Sequence, residues 1–359
     1  MEHKQLDKAS LAALLTSLMA EQTVFAPVLR DGVSTFDVLA DIGDLAFPAD
    51  GIPRVAPKQA VMPRTEVLFY YRLGKNTEKM APPPPAEPQV LFGVHPCDVQ
   101  AIKVLDAVFG AEPHPDELYL ARRRVTTVVG LGVSQESVPQ HRFFEKMGIS
   151  SMDARDCDLF LTPLADETYV LEVLTEQGQQ LLELAGELPC ADAVALANVG
   201  KLRKAAEERV TREIDVDVLQ EKLSGMFESE MWAGIADKCV GCGACAYLCP
   251  TCHCFDIQDE RRGDTGSRVR NWDTCQFEEF TKHASGHNPR TSQHGRARQR
   301  IMHKFEYGYR NFGIPFCTGC GRCIGVCPVN NNLLTMLDGI RKSDPPSESD
   351  GSPTSPDEL

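Results

Sequence analysis

The stretch that decides the fold of the C-terminal part of this chain is CVGCGACAYLCP, residues 239–250, and it recurs as CTGCGRCIGVCP at residues 317–328. We call these two segments the first and second cysteine runs. Both have the spacing C-x2-C-x2-C-x3-C-P, which binds pairs of [4Fe–4S] clusters. In this pattern three cysteines on one tight loop bind three irons of one cluster, and the fourth, just before a proline, binds the other cluster. The sequence therefore predicts two [4Fe–4S] clusters.

Each cluster is expected to take ligands from both runs. The predicted ligands of the first cluster are Cys239, Cys242, Cys245 and Cys327, and those of the second cluster are Cys317, Cys320, Cys323 and Cys249. The alternatives are a pair of zinc sites or a disulfide framework. Zinc sites usually contain isolated C-x2-C pairs, not four cysteines in a row followed by a proline. The spacing therefore favours clusters.

Composition limits the class of protein. A chain of 359 residues has room for about two domains, and no apolar run is long enough to span a membrane. The first residues, MEHKQLDKASLAALL, do not have the pattern of an export signal. The sequence contains 14 cysteines, and the need to keep cluster thiolates free indicates a reducing compartment, so we expect the cytoplasm. The net charge of −14 argues against general nucleic-acid binding.

The predicted fold class is α+β, with a mixed α/β domain followed by a ferredoxin-like domain that binds two clusters. The predicted segments are a mixed α/β domain at 1–196, a helical connector at 197–236, the dicluster domain at 237–340 with a long insertion at 250–316, and a disordered, acidic and proline-rich tail at 341–359. Within the first domain we predict an amphipathic helix over 1–20 and a helix over 99–109 capped by Asp98. Strands are predicted at 66–72, 90–94, 125–133, 159–163 and 169–174, and a surface loop at 81–88.

Three further cysteines lie in the insertion and suggest a third metal site. Cys252 and Cys254 follow the first run directly, and Cys275 lies in RNWDTCQFEEF. The fourth ligand would be His253 or Cys97; Cys97 is preferred because thiolate is the usual cluster donor. Cys97 also sits at a predicted strand-to-helix turn, where a helix N-terminus would stabilise a thiolate. The alternative is that these cysteines pack as small apolar side chains beside the first cluster.

A basic, histidine-rich segment spans residues 282–310. One interpretation is charge compensation, because cationic donors near a cluster raise its reduction potential. A second is docking to an acidic partner protein, and a third is an ordinary solvated face.

A dinucleotide site is weakly suggested by Gly130-Leu131-Gly132, which follows a predicted strand. The third glycine of G-x-G-x-x-G is missing, because Gln135 stands there. We therefore do not predict a nucleotide site on this chain, and no catalytic residues are predicted.

The motifs CVGCGACAYLCPTCHCFDI, RNWDTCQF, HASGHNPR, RIMHKFEYG and CTGCGRCIGVCP together resemble the beta subunits of cytosolic [NiFe] sulfhydrogenases, enzymes also called hydrogenase/sulfur reductases. The electron-transfer subunits of anaerobic sulfite reductases are similar. The upstream pieces GVHPCDVQAI, VVGLGV and DLFLTPL also resemble the sulfhydrogenase family, so the likeness covers about residues 60–335. One departure is Glu145 in HRFFEKMG, where the resemblance leads us to expect a cysteine.

The resemblance implies a relay subunit. Such subunits lie between a flavoprotein that handles NAD(P)H and a catalytic unit, which is either the small and large subunits of a [NiFe] hydrogenase or the catalytic part of a sulfite reductase. The residues agree, since they predict clusters that move single electrons and no site for bond chemistry. The alternatives are an oxidoreductase that binds flavin itself and an iron–sulfur sensor or assembly protein.

Overall fold

The structure, a computed structural model, describes residues 2–74, 78–133, 138–165, 167–184 and 186–343. Most of the predicted tail, from residue 344 onward, lies outside these residues, as does Gln135. The strands are β1 (His3–Asp7), β2 (Thr23–Arg30), β3 (Val33–Val38), β4 (Thr65–Leu73), β5 (Glu78–Ala81), β6 (Gln89–Val94), β7 (Thr126–Leu131), β8 (Leu159–Pro163), β9 (Thr168–Val173), β10 (Phe255–Arg262) and β11 (Thr265–Trp272).

The α-helices alternate with these strands in the N-terminal part and dominate the C-terminal part. They are α1 (Lys8–Glu21), α2 (Lys58–Val61), α3 (Pro96–Phe109), α4 (Glu117–Arg124), α5 (Glu176–Glu183), α6 (Ala193–Glu207), α7 (Val216–Ser224), α8 (Met231–Ala236), α9 (Ala244–Tyr247), α10 (Gln293–Met302), α11 (Gly308–Phe312), α12 (Arg322–Gly325) and α13 (Leu333–Lys342). A π-helical turn, His303–Tyr307, joins α10 to α11.

A seven-stranded mixed sheet organises the N-terminal region, with the strand order β1-β9-β8-β7-β6-β2-β3. The four strands β2, β6, β7 and β8 are parallel, and the outer strands pair antiparallel. Alternate residues of the central strands face opposite layers, as the period of a strand requires. Phe92 packs with α1 and α5 on one face, and Leu91 packs with α3 and α4 on the other. The predicted mixed α/β region is therefore confirmed.

The local predictions for this region hold, with two corrections. All five predicted strands are present, as β4, β6, β7, β8 and β9. The predicted helix over 1–20 begins only at Lys8, because Asp7 caps it by accepting a hydrogen bond from the backbone N–H of Ser10 (2.8 Å), and residues 3–7 form an edge strand. Helix α3 is capped by His95 and not by Asp98, which lies inside its first turn.

A second sheet joins the insertion to the N-terminal region. Its strand order is β10-β11-β4-β5, and β11 pairs antiparallel with β4, with Val269 opposite Val67. Behind this pairing the buried Arg270 forms ion pairs with Glu66 and Asp116. The hairpin from the predicted dicluster segment is therefore built into the structure of the N-terminal half.

The C-terminal part is helical. Helices α7, α8, α10 and α13 pack around Trp232, Phe305 and Leu337, all of them buried. Helix α13 continues through Lys342, two residues into the segment predicted as tail. Across the described ranges, no helix has the length and apolar character needed to cross a bilayer.

Candidate metal centre

Each cysteine run opens with a loop that only glycine accommodates easily. In the first run Gly241 and Gly243 have φ of +67° and +71°, and in the second run Gly319 and Gly321 have φ of +67° and +72°. Side chains other than hydrogen disfavour this left-handed region. The two loops therefore share one backbone conformation, and each continues into a short helix, α9 or α12.

The thiols of the first loop line one cavity. Its cysteines are Cys239, Cys242, Cys245, Cys323 and Cys327. The last cysteine of the second run thus faces the loop of the first run. This cavity reaches the surface, where Cys242 is exposed and Val240 is 63% exposed.

A second cavity lies beside the first and is more enclosed. Its cysteines are Cys249, Cys317, Cys320 and Cys323. Here the last cysteine of the first run faces the loop of the second. The structure therefore brings together the two crossed sets of four that the sequence analysis named, with Cys323 at the boundary between them.

The spacing of these thiols bears on the kind of metal group that fits. Within the described part of the chain, no three His, Cys, Asp or Glu side chains are close enough to hold a single metal ion. A zinc ion needs its thiolates at about 2.3 Å from one point. A cubane takes each thiolate on a different iron and so needs thiols spread around a cavity. The donor set and the glycine loops therefore fit [4Fe–4S] clusters better than zinc.

Hydrogen-bond donors point at several of these sulfur atoms. The amide of Gln293 donates to Cys239 Sγ (3.2 Å), and the backbone N–H of Asn331 donates to Cys327 Sγ (3.2 Å). In the second cavity the Lys304 ammonium donates to Cys249 Sγ (3.2 Å). Such donors stabilise thiolate ligands and tune the potential of the group they hold.

Three basic residues of the 282–310 segment face the cavities. Arg296, Arg300 and Lys304 are spaced by four residues, so they form one stripe along α10 and the π-helical turn. Arg296 and Lys304 are 8% and 3% exposed. By contrast, Lys282 and His294 are exposed to solvent. Charge compensation thus describes the buried stripe, and a solvated face describes much of the rest of the segment.

Lys304 is held in place by all three of its ammonium donors. Besides Cys249 Sγ, they reach Thr251 Oγ1 (3.0 Å) and the carbonyl of Phe316 (2.9 Å). Burial by itself would lower the pKa of Lys304, but the neighbouring thiols of Cys249 and Cys252 raise it above its usual value. Lys304 is therefore a buried positive charge at the second cavity.

The second cysteine run is seated on the N-terminal sheet. The backbone N–H of Phe143 donates to the carbonyl of Gly319 (2.8 Å), and the Arg142 guanidinium donates to the carbonyl of Cys320 (2.6 Å). Asp98 lies just after β6, at the carboxyl edge of the parallel strands, and it pairs with Arg322. Open α/β sheets bind ligands in the crevice at this edge. Here the second cysteine run occupies it.

The glycine pair after β7 has a packing role. A Cβ on Gly130 would lie 2.6 Å from Cys157 Sγ, and one on Gly132 would lie 2.7 Å from Met152 Sδ. These close contacts explain both glycines without a nucleotide.

The predicted third metal site is not brought together. Cys97 is buried against Ile52, Phe144 and Cys320, so it belongs to the surroundings of the second cavity. Burial also raises the pKa of the Cys97 thiol well above its usual value, the opposite of the predicted stabilised thiolate. The position of Cys97 at a strand-to-helix turn was correct, but its neighbours come from distant parts of the chain.

The remaining cysteines of that prediction form two separate pairs. Cys252 interacts with Cys249, and Cys254 interacts with Cys275. The neighbouring Cys254 thiol is the main reason that the pKa of Cys275 falls to about 6. His253 packs edge-on against the His303 ring, 5.2 Å between centroids.

Glu145, where the resemblance led us to expect a cysteine, has a structural partner. Its carboxylate accepts a hydrogen bond from Arg209 Nε (3.0 Å). This ion pair ties the segment before the second cavity to the end of α6.

Comparisons with known proteins agree with this geometry. Residues 238–331 match the 4Fe-4S dicluster domain family. Over 328 residues, which cover 89% of this chain and 92% of the relative, the sequence is 28% identical to the beta subunit of sulfhydrogenase 2 from Pyrococcus furiosus. The C-terminal part is therefore an iron–sulfur electron-transfer domain that implies two [4Fe–4S] clusters, and the chain is a distant homologue of that sulfhydrogenase beta subunit.

Proposed function

We propose that this chain is an electron-transfer subunit that relays single electrons between an NAD(P)H-handling flavoprotein and a [NiFe] hydrogenase/sulfur reductase catalytic unit. The observation that carries the proposal is the division of the eight cysteines of the two runs into two adjoining cavities. In this proposal Cys239, Cys242, Cys245 and Cys327 hold one cluster, and Cys249, Cys317, Cys320 and Cys323 hold the other. Clusters bound there would each accept and release one electron.

The two sites are arranged as a relay. They share Arg300, Cys323 and Leu333 as lining residues, so a bound group in one is a direct neighbour of a group in the other. The first site opens to the surface beside Val240 and Cys242. The second lies deeper, under Arg142 and the N-terminal sheet. This geometry supports electron passage between a surface site and an interior site.

The N-terminal region supports a relay more than a self-contained flavin enzyme. The crevice where an α/β sheet usually binds a nucleotide is filled by the second cysteine run, through Asp98 and Arg322. The G-x-G pair is explained by packing on Cys157 and Met152. On this basis the N-terminal region acts as a seat for the second site.

The partners and location are proposed from the relative and from cysteine chemistry. The relative is named as a beta subunit, which supports assembly with other subunits. We propose a reductase subunit that binds flavin and NAD(P)H on one side, and the small and large [NiFe] hydrogenase subunits on the other. Free thiolates in two cluster sites are best maintained in the cytoplasm.

The test is a reduction experiment on the anaerobic full-length holoprotein, followed by electron paramagnetic resonance (EPR). Dithionite should reduce both clusters, and NADPH alone should reduce neither. NADPH with an added flavoprotein reductase should reduce them. Reduction by NADPH alone would instead favour the self-contained oxidoreductase. A Cys190→Ser variant is the matched control, because Cys190 is exposed and lines neither cavity.

The terminal partner is tested separately by co-purification from the native cells. Recovery of hydrogenase large and small subunits supports the proposal. Recovery of a sirohaem protein in their place would redirect it to an anaerobic sulfite reductase.

A further inference from the structure

We propose that Arg300 is a positive charge shared by both cluster sites, and that it sets the two reduction potentials together without favouring either site. The inference rests on the proposed function, because it assumes that each cavity holds a cluster.

The position of Arg300 supports a shared role. Its side chain lines both cavities. One terminal nitrogen, Nη2, donates to the backbone carbonyl of Cys245 in the first run (3.2 Å). Its Nε is closed off from solvent and has no hydrogen-bond partner in the described ranges. A buried donor without a partner is costly, and a group bound in either cavity would remove that cost.

The neighbours of Arg300 on the same stripe serve one site each. Arg296 donates to Gln293 Oε1 (2.8 Å), whose amide in turn donates to Cys239 Sγ, so Arg296 acts on the first site. Lys304 donates to Cys249 Sγ and lines the second cavity. The helix therefore presents a cation to the first site, a cation between the sites and a cation to the second site.

Charge balance separates these roles. Reduction of either cluster adds one negative charge, which a nearby buried cation stabilises, so the cation raises the reduction potential. When one electron passes from one cluster to the other, the total charge around Arg300 does not change. Arg300 thus determines how strong a reductant must be to load the relay, while the transfer between the sites stays balanced. Lys304 favours the electron on the second site.

The experiment is an anaerobic redox titration of the full-length protein followed by EPR. The two cluster signals are assigned first, by the loss of one signal in Cys242→Ser and of the other in Cys320→Ser. In Arg300→Met both midpoint potentials should move downward by similar amounts. In Lys304→Met the potential of the Cys320 signal should move down clearly more than the other.

The charge-retaining variant Arg300→Lys provides a second measurement, in case Arg300→Met does not hold its clusters. It should leave the two potentials close to their wild-type values and close to their wild-type separation. A shift of only one potential in Arg300→Met or in Arg300→Lys would overturn the shared role, as would unchanged potentials in Arg300→Met. A wild-type protein with no iron would instead contradict the proposed function itself.

Discussion

Arg322, between two cysteines of the second run, forms a two-point ion pair with Asp98 in the first turn of α3. The nitrogen–oxygen distances are 2.6 and 2.7 Å, and both side chains are 1% exposed. Arg322 Nε also donates to the carbonyl of Pro53 (2.8 Å). A buried ion pair of this kind is tolerated only when its hydrogen bonds are satisfied, as they are here. The pair therefore fixes the second cluster loop to the N-terminal sheet.

We expect Asp98→Asn to destabilise the protein strongly. It leaves a buried guanidinium without its counter-charge, which costs about 3–5 kcal/mol. Chemical denaturation monitored by circular dichroism measures the loss, and iron analysis should show a weakened second site. The matched control is Asp156→Asn, since Asp156 pairs with Lys103 at the surface (2.9 Å). That change should cost about 0–1 kcal/mol, and equal losses in the two variants would contradict the role of the buried pair.

Gly321→Ala should remove the second cluster selectively. A Cβ at Gly321 would lie 2.3 Å from the carbonyl oxygen of His141, at a φ of +72°. Neither backbone can move freely, because His141 and the loop are part of the seat. Iron content should fall to about half of the wild-type value. Gly313→Ala is the control, because Gly313 has a φ of +68° with nothing within 4 Å of the added Cβ; it should keep its iron. Full iron in Gly321→Ala would show that the loop tolerates the shift.

The sequence predicted elements whose signal is local. The run over 90–94 is continuously apolar because β6 is buried on both faces, and Val99, Ile102 and Leu105 have helical spacing because one face of α3 packs on the sheet. The edge strand β1 was missed because its residues run directly into α1, whose pattern dominates the segment. The hairpin β10–β11 was missed because most of β10 is polar and exposed.

At the candidate site, the spacing of the cysteines was informative and the surroundings were not. The eight cysteines of the two runs could be named from the sequence because their geometry is set within two short loops. Asp98 and Arg322 are 224 residues apart, so nothing local links them. Cys97 was assigned to the wrong neighbours for the same reason. The four-residue spacing of Arg296, Arg300 and Lys304 was a usable signal that the overall basic character of the segment obscured.

Crossed ligation predicts which cysteine variants behave alike. Cys327→Ser should lose the same EPR signal as Cys245→Ser, because both thiols line the first cavity. Cys249→Ser should lose the same signal as Cys320→Ser, because both line the second. If Cys327→Ser behaved like Cys320→Ser and kept the Cys245 signal, each run would bind its own cluster and the crossed assignment would be wrong.

Metal content tests whether the insertion cysteines add a third cluster. Because Cys97 lies beside Cys320 and away from the pairing of Cys254 with Cys275, we expect two clusters, or about eight irons per chain. Cys275→Ser should keep this iron content and the same redox titration, since its thiol lines neither cavity. Iron and acid-labile sulfide analysis of anaerobically reconstituted protein provides the measurement, and Cys245→Ser is the positive control that must lose iron. A wild-type value of about twelve irons that fell to about eight in Cys275→Ser would establish a third cluster. Its ligands would then have to come from a rearrangement of these pairs.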